Sequence, residues 1–286
     1  ALLFRWYISG HAPWSNAYEA IVYVAWSTMF FGLAFAWKLK PAFSIKFICS
    51  LFFGIYYKST SKLTVASCAF VSAMILTAAY ANWIDPEIAN LVPVLNSYWL
   101  MIHVAIITGS YGPLGLAAIL GLINLLLYIF RTQKNGKMIS IHISELTYVS
   151  EMAMTIGVFM LTIGTFLGGV WANESWGRYW AWDPKETWAM VSVLVYAVIL
   201  HFRFIPKLNA KFVFNAMALW GYSAILFTFF GVNFMLVGLH SYAQGEGLGE
   251  FPNWLIVLII SFLIFTIFSG IRYKAYKKLN KEKIVE

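Results

Sequence analysis

Charge is what this sequence has least of. Asp, Glu, Lys and Arg make up 11% of its 286 residues, against roughly 25% in an ordinary soluble domain. Too few charges remain to coat a water-facing globule. Cysteine is scarce too. Cys49 and Cys68 form no Cys-x-x-Cys pair, which excludes a disulfide framework and leaves no zinc-type spacing. Both sit in or near apolar segments and read as small buried hydrophobes. There is no low-complexity tract and no repeat of fixed period. No basic-then-apolar leader precedes the first motif, and the abrupt start at Ala1 reads as a cut or processed end.

What is abundant is apolar and aromatic: 61% hydrophobic residues, with 24 Phe, 16 Tyr and 13 Trp. That composition excludes intrinsic disorder and points to the bilayer, where a spanning helix needs about 20 apolar residues. The expected fold is an all-α polytopic helical bundle with about seven transmembrane helices, over 18–37, 63–82, 101–130, 149–170, 187–204, 212–236 and 253–271. Residues 1–286 read as a single membrane domain, with the bundle over 18–272. The apolar segment 41–57 is short, starts at Pro41 and carries Lys46. It lies flat, re-enters or crosses; not crossing keeps the charge pattern consistent.

That pattern concerns the net charge of +8. If the first span runs inward, 17 of the 20 basic residues fall on one side, from Lys38 through Arg131, Arg203 and Lys211 to the tail that starts at Arg272. Arg5, Arg178 and Lys185 stay opposite, with Asp183, Glu186 and most other acids. The positive-inside rule makes the Lys-rich side cytoplasmic. The tail 273–286 then lies against anionic lipid headgroups rather than nucleic acid.

The densest signal is 168–188, GGVWANESWGRYWAWDPKETW. An interfacial aromatic belt explains one or two Trp per helix end, but not Trp171, Trp176, Trp180, Trp182 and Trp188 together. Pro184 suits the first turn of a helix, with Asp183 as its cap and Glu186 three residues on. The other reading is a flat aromatic platform for a large planar ligand, a porphyrin being the obvious one, with Arg178 and Lys185 for its propionates.

Five histidines are present. His103 and His240 sit at the outer ends of the third and sixth spans, on the side of the Trp segment. Two neutral imidazoles can hold iron from opposite faces. His201 lies 13 residues beyond Trp188, about 20 Å along a helix; it either serves a site within the bilayer or snorkels to the inner headgroups beside Arg203. His142 reads as solvated loop, and His11 lacks a paired feature.

WGRYWAWDPKETW resembles the WWD domain of the haem-handling proteins of cytochrome c biogenesis. With SGHAPWSNAYE, VPVLNSYWLMIHVAIITGSYG and YAVILHFRF, the chain most resembles the CcsA (ResC) family of system II, and is especially similar to the C-terminal half of fused CcsBA proteins. The resemblance implies a haem exporter of the bacterial inner membrane that works with a CcsB/ResB-type partner. Together they would act as a cytochrome c synthase, a haem lyase, on apocytochrome c. It implies haem b held non-covalently, with His103 and His240 as axial ligands at the outer face. Trp176, Gly177, Tyr179, Trp180, Trp182, Asp183 and Pro184 would form the platform, and His201 one ligand of an inner haem. The family's partner histidine for that inner haem has no equivalent here. Two other classes stand beside this one: a secondary transporter of a small solute, which predicts broken helices and internal symmetry, and a structural partner that docks through the Trp segment.

Overall fold

The computed structural model describes residues 2–36, 62–80, 86–88, 97–236, 238 and 253–285. The described residues form helices joined by turns. They are α1 (Leu2–Ser9), α2 (Ala17–Ala36), α3 (Lys62–Tyr80), α4 (Tyr98–Phe130), α5 (Gly136–Trp176), α6 (Pro184–His201), α7 (Lys211–Leu226) and α8 (Asn253–Val285). A π-helical turn, Phe227–Gly231, carries α7 into a last turn, Val232–Met235. Six helical segments are long and apolar enough to cross a membrane: Ala17–Ala36, Tyr98–Phe130, Gly136–Trp176, Pro184–Phe204, Lys211–Gly231 and Asn253–Asn280. The expected second span contributes a shorter apolar helix, Leu63–Thr77. The chain is a multi-pass membrane protein. The segment 41–57 and Cys49 lie outside the described residues.

Two boundaries differ from expectation. α5 is 41 residues long, about 60 Å at 1.5 Å per residue, twice the hydrocarbon thickness. Its first turns include His142, which is helical and half-buried rather than a solvated loop residue. They hold because Ile139 and Ile143 pack with Tyr128 of α4. α8 likewise runs unbroken into the basic tail, where Arg272 Nε donates to Ile129 O (3.3 Å) and Arg131 lies over the Tyr276 ring (3.9 Å).

Helices α2 to α7 all contribute to one core, through residues such as Phe35, Cys68, Leu114, Met152, Tyr196 and Ala218. Cys68 is buried there, its Sγ 3.7 Å from Met29 Sδ. The central pair is α4 and α5, joined by the short turn 131–135 and therefore antiparallel. Their seam sets large residues of α4 on glycines of α5. A Cβ at Gly157 would fall 2.5 Å from Leu114 Cδ2, one at Gly164 2.9 Å from Ile107 Cβ, and one at Gly168 2.7 Å from His103 Cε1. Small residues that admit a neighbouring helix this closely are the usual means of packing in lipid.

Charge separates to the two ends of the bundle. Arg203 pairs with Glu151, Lys211 Nζ donates to Ser144 Oγ (2.6 Å), and Arg131 and Arg272 cluster nearby. At the other end Ser97 Oγ donates to Glu174 Oε2 (2.7 Å), and Arg5 pairs with the fully buried Glu19 at 3.0 Å.

Candidate functional site

The site lies at the His103 end. α5 stops at Trp176 because Gly177 adopts φ 69°, the left-handed cap that glycine takes without strain, and its N–H returns to Asn173 O. The chain then folds back, so that Tyr179 O would lie 3.0 Å from a Cβ on Gly169. α6 begins where expected. Pro184 occupies its first turn, and Asp183 Oδ1 accepts from Lys185 N (3.0 Å). Glu186 Oε2 accepts instead from Ala181 N (2.8 Å), two residues ahead of the cap, so its carboxylate ties down the loop rather than closing a standard capping box. Trp182 has φ 58° and is the only described non-glycine residue with positive φ. Such a bulky residue is strained there.

The tryptophans do not form one flat shelf. Trp171 and Trp176 meet at 66° with centroids 4.8 Å apart, and Trp180 and Trp182 at 90° and 5.7 Å. Edge-to-face contact is the favoured geometry for such pairs. Trp171 is 1% exposed, and Trp188 packs at 4.2 Å on Phe227 of the π-helical turn. The loop therefore shows the outside Tyr179 and Trp182, 64% and 69% exposed, with the half-buried Trp176 and Trp180 behind them. Arg178 is exposed. Lys185 is turned into the bundle, its Nζ donating to Asn233 Oδ1 (2.7 Å) just past the π-helical turn.

His103, on the second turn of α4, is half-buried with its ring against Gly168. Its Nδ1 donates to Gly164 O at 2.7 Å. A carbonyl can only accept, so in the neutral ring Nδ1 carries the proton and Nε2 the lone pair. Trp14 Nε1 donates to Met101 O (3.2 Å), tying the segment before α2 to the turn that carries His103. Gly238 packs on Asp183 and Pro184, where an added Cβ would meet Asp183 Oδ2 at 2.5 Å. His240, two residues on, lies outside the described residues. The structure thus brings together His103, Gly177, Tyr179, the tryptophans, Asp183, Pro184 and Gly238.

His201 is placed elsewhere. It ends α6, about 27 Å from Asp183 at 1.5 Å per residue. Its ring is exposed, Nδ1 donating to Ala197 O of the preceding turn (2.7 Å), with Phe204 5.8 Å away. His11 bonds locally, Nδ1 to Ala12 O (3.3 Å). Among the described residues no group of three His, Cys, Asp or Glu could hold a bare metal ion. Sequence reasoning missed Gly164, Gly168, Gly169 and Asn233. The glycines at 157, 164 and 168 carry a readable signal, since spacings of seven and four share one helix face.

Residues 14–240 match the family model described as cytochrome C assembly protein. The chain belongs to that family. It is similar to Protein NrfI of Wolinella succinogenes, 45% identical over 247 residues that cover 86% of this chain and 25% of NrfI. It is similar to cytochrome c biogenesis protein CcsA of Chlamydomonas reinhardtii, 36% identical over 84% of this chain and 64% of that protein. The CcsA of Prochlorococcus marinus strain SARG is 33% identical over 84% of this chain and 78% of its own length. The chain thus spans a quarter of NrfI and just under two thirds of the Chlamydomonas protein.

Proposed function

We propose that this protein holds haem b, non-covalently and as cargo, at the extracytoplasmic face of the bacterial inner membrane. There it presents the haem to apocytochrome c. His103 and His240 would be the axial ligands. Trp176, Gly177, Tyr179, Trp180, Trp182, Asp183 and Pro184 would hold the porphyrin. The observation that carries this reading is a convergence. The helix that seats His103 on Gly168 runs directly into the tryptophan loop, and Gly238 rests on Asp183 and Pro184 of that same loop.

The chemistry is addition of two cysteine thiols of a Cys-x-x-Cys-His segment across the haem vinyl groups. Each S–H adds to one vinyl, so nothing leaves. The protein's contribution is orientation: the haem edge faces the thiols, and the incoming histidine replaces one axial imidazole. Because the tryptophans meet edge-to-face, the porphyrin would seat against the exposed Tyr179 and Trp182 rather than on a continuous indole sheet. Lys185 is committed to Asn233, which leaves Arg178 as the basic group of this loop for a propionate. His201 would serve an inner haem whose second ligand comes from a CcsB/ResB-type partner or from a further segment; its exposed ring, bonded to Ala197 O of the preceding turn, stands open to either.

The test is an absorption spectrum of the protein purified in detergent. A Soret band is expected, and replacing both His103 and His240 with Ala should abolish most of it. Full haem retention by the double variant would refute the site.

A further inference from the structure

We infer that Gly164 and Gly168 are positioning residues for the His103 imidazole, Gly164 through its carbonyl and Gly168 by having no side chain. This rests on the haem reading above.

In an α-helix each side chain leans toward the N-terminus and covers the turn before its own Cα. A side chain at 168 would therefore lie over the carbonyl of residue 164. Glycine at 168 leaves that carbonyl open to a second donor, and His103 Nδ1 takes it at 2.7 Å. A carbonyl oxygen has two lone pairs and can keep its helical bond as well. The imidazole fills the vacated space so closely that a Cβ on Gly168 would sit 2.7 Å from Cε1, 2.9 Å from Nδ1 and 3.3 Å from Nε2. Both sides of one ring edge are thus set by α5: the proton by Gly164 O, the plane by the Gly168 backbone.

Close helix packing alone does not account for this. Gly157 performs that task on the same seam beneath Leu114, with no polar side chain against it. At Gly168 the neighbour is the group proposed to bind iron. The bond fixes Nδ1 as donor and Nε2 as the lone-pair nitrogen, which is the tautomer an iron ligand needs, and it raises the ligand's basicity. The next residue, Gly169, faces the Tyr179 carbonyl. One turn of α5 therefore fixes both the imidazole and the loop beside it.

The experiment compares Gly168→Ala, Gly157→Ala and His103→Ala in the protein purified with bound haem. Gly168→Ala should weaken haem binding about 10–100-fold, the usual effect of disturbing a ligand's outer-shell partner. Its low-spin spectrum should turn high-spin, and added imidazole should restore it. Gly157→Ala should keep the low-spin spectrum although it crowds the same helix pair. If Gly168→Ala keeps wild-type affinity and spectrum while His103→Ala loses both, the inference falls and the haem reading stands. If His103→Ala itself keeps its haem, both fall. Should Gly168→Ala not fold, ¹⁵N-histidine NMR of the haem-free wild type decides instead. Nδ1-protonated His103 supports the inference, and Nε2-protonated His103 overturns it.

Discussion

His103 and His201 are both neutral-pH ligand candidates near helix ends, yet they are held in opposite ways. His103 Nδ1 bonds across to a different helix, 61 residues away in sequence, and its ring is wedged on a glycine backbone. His201 Nδ1 bonds four residues back in its own helix, and its ring is exposed. A cross-helix bond fixes a ring only while the tertiary fold is intact. A local bond fixes it through the helix alone and leaves its outer face to whatever packs there. One end of this molecule holds its imidazole in a seat made by a second helix, and the other holds its imidazole by its own helix.

That contrast can be broken most directly by replacing each histidine. His103→Ala should remove most of the haem from the isolated chain. His201→Ala should remove much less, because its ring stands exposed and is held by a bond to its own helix alone among the described residues. Equal losses, read from Soret absorbance per protein, would erase the distinction. Asp183→Ala comes next. Loss of a cap costs about 0.5–2 kcal/mol, here at the start of α6 and beneath Gly238, so thermal unfolding in detergent should fall by several degrees. Asp183→Asn, which can still cap, should recover most of it. Trp182→Gly sharpens the comparison within the loop. It relieves a strained φ worth on the order of 1 kcal/mol, so unfolding temperature should hold or rise while haem retention drops. A parallel fall in both would show that the indole matters to the fold and not to the ligand. The smallest effect belongs to the His201 end: Arg203→Ala breaks the half-exposed pair with Glu151 and should cost at most about 1 kcal/mol, less in high salt.

The same contrast explains what was legible in the sequence. Apolar runs located the spans because lipid demands uninterrupted helix, and Pro184 with Asp183 marked the start of α6 because cap chemistry is local. The first third of α5 was not legible. IHISEL is polar enough to resemble a loop, and its packing on Tyr128, with Phe212 and Tyr273, holds it in the helix. The tryptophans announced the site by composition, but not their mutual angles, which depend on the Gly177 turn and the strained Trp182. The seat of His103 was hidden for another reason. It is made by what α5 lacks at 168, and a missing side chain becomes a feature only when another helix fills the space.

The central claim is that one haem sits between His103 and His240 against the tryptophan loop. Electron paramagnetic resonance of the ferric protein tests it most directly. A low-spin bis-imidazole signal is expected that is largely lost when either histidine alone becomes Ala, with the residual haem high-spin, and that returns when haem and imidazole are supplied together. A low-spin signal that survives either single replacement would contradict it.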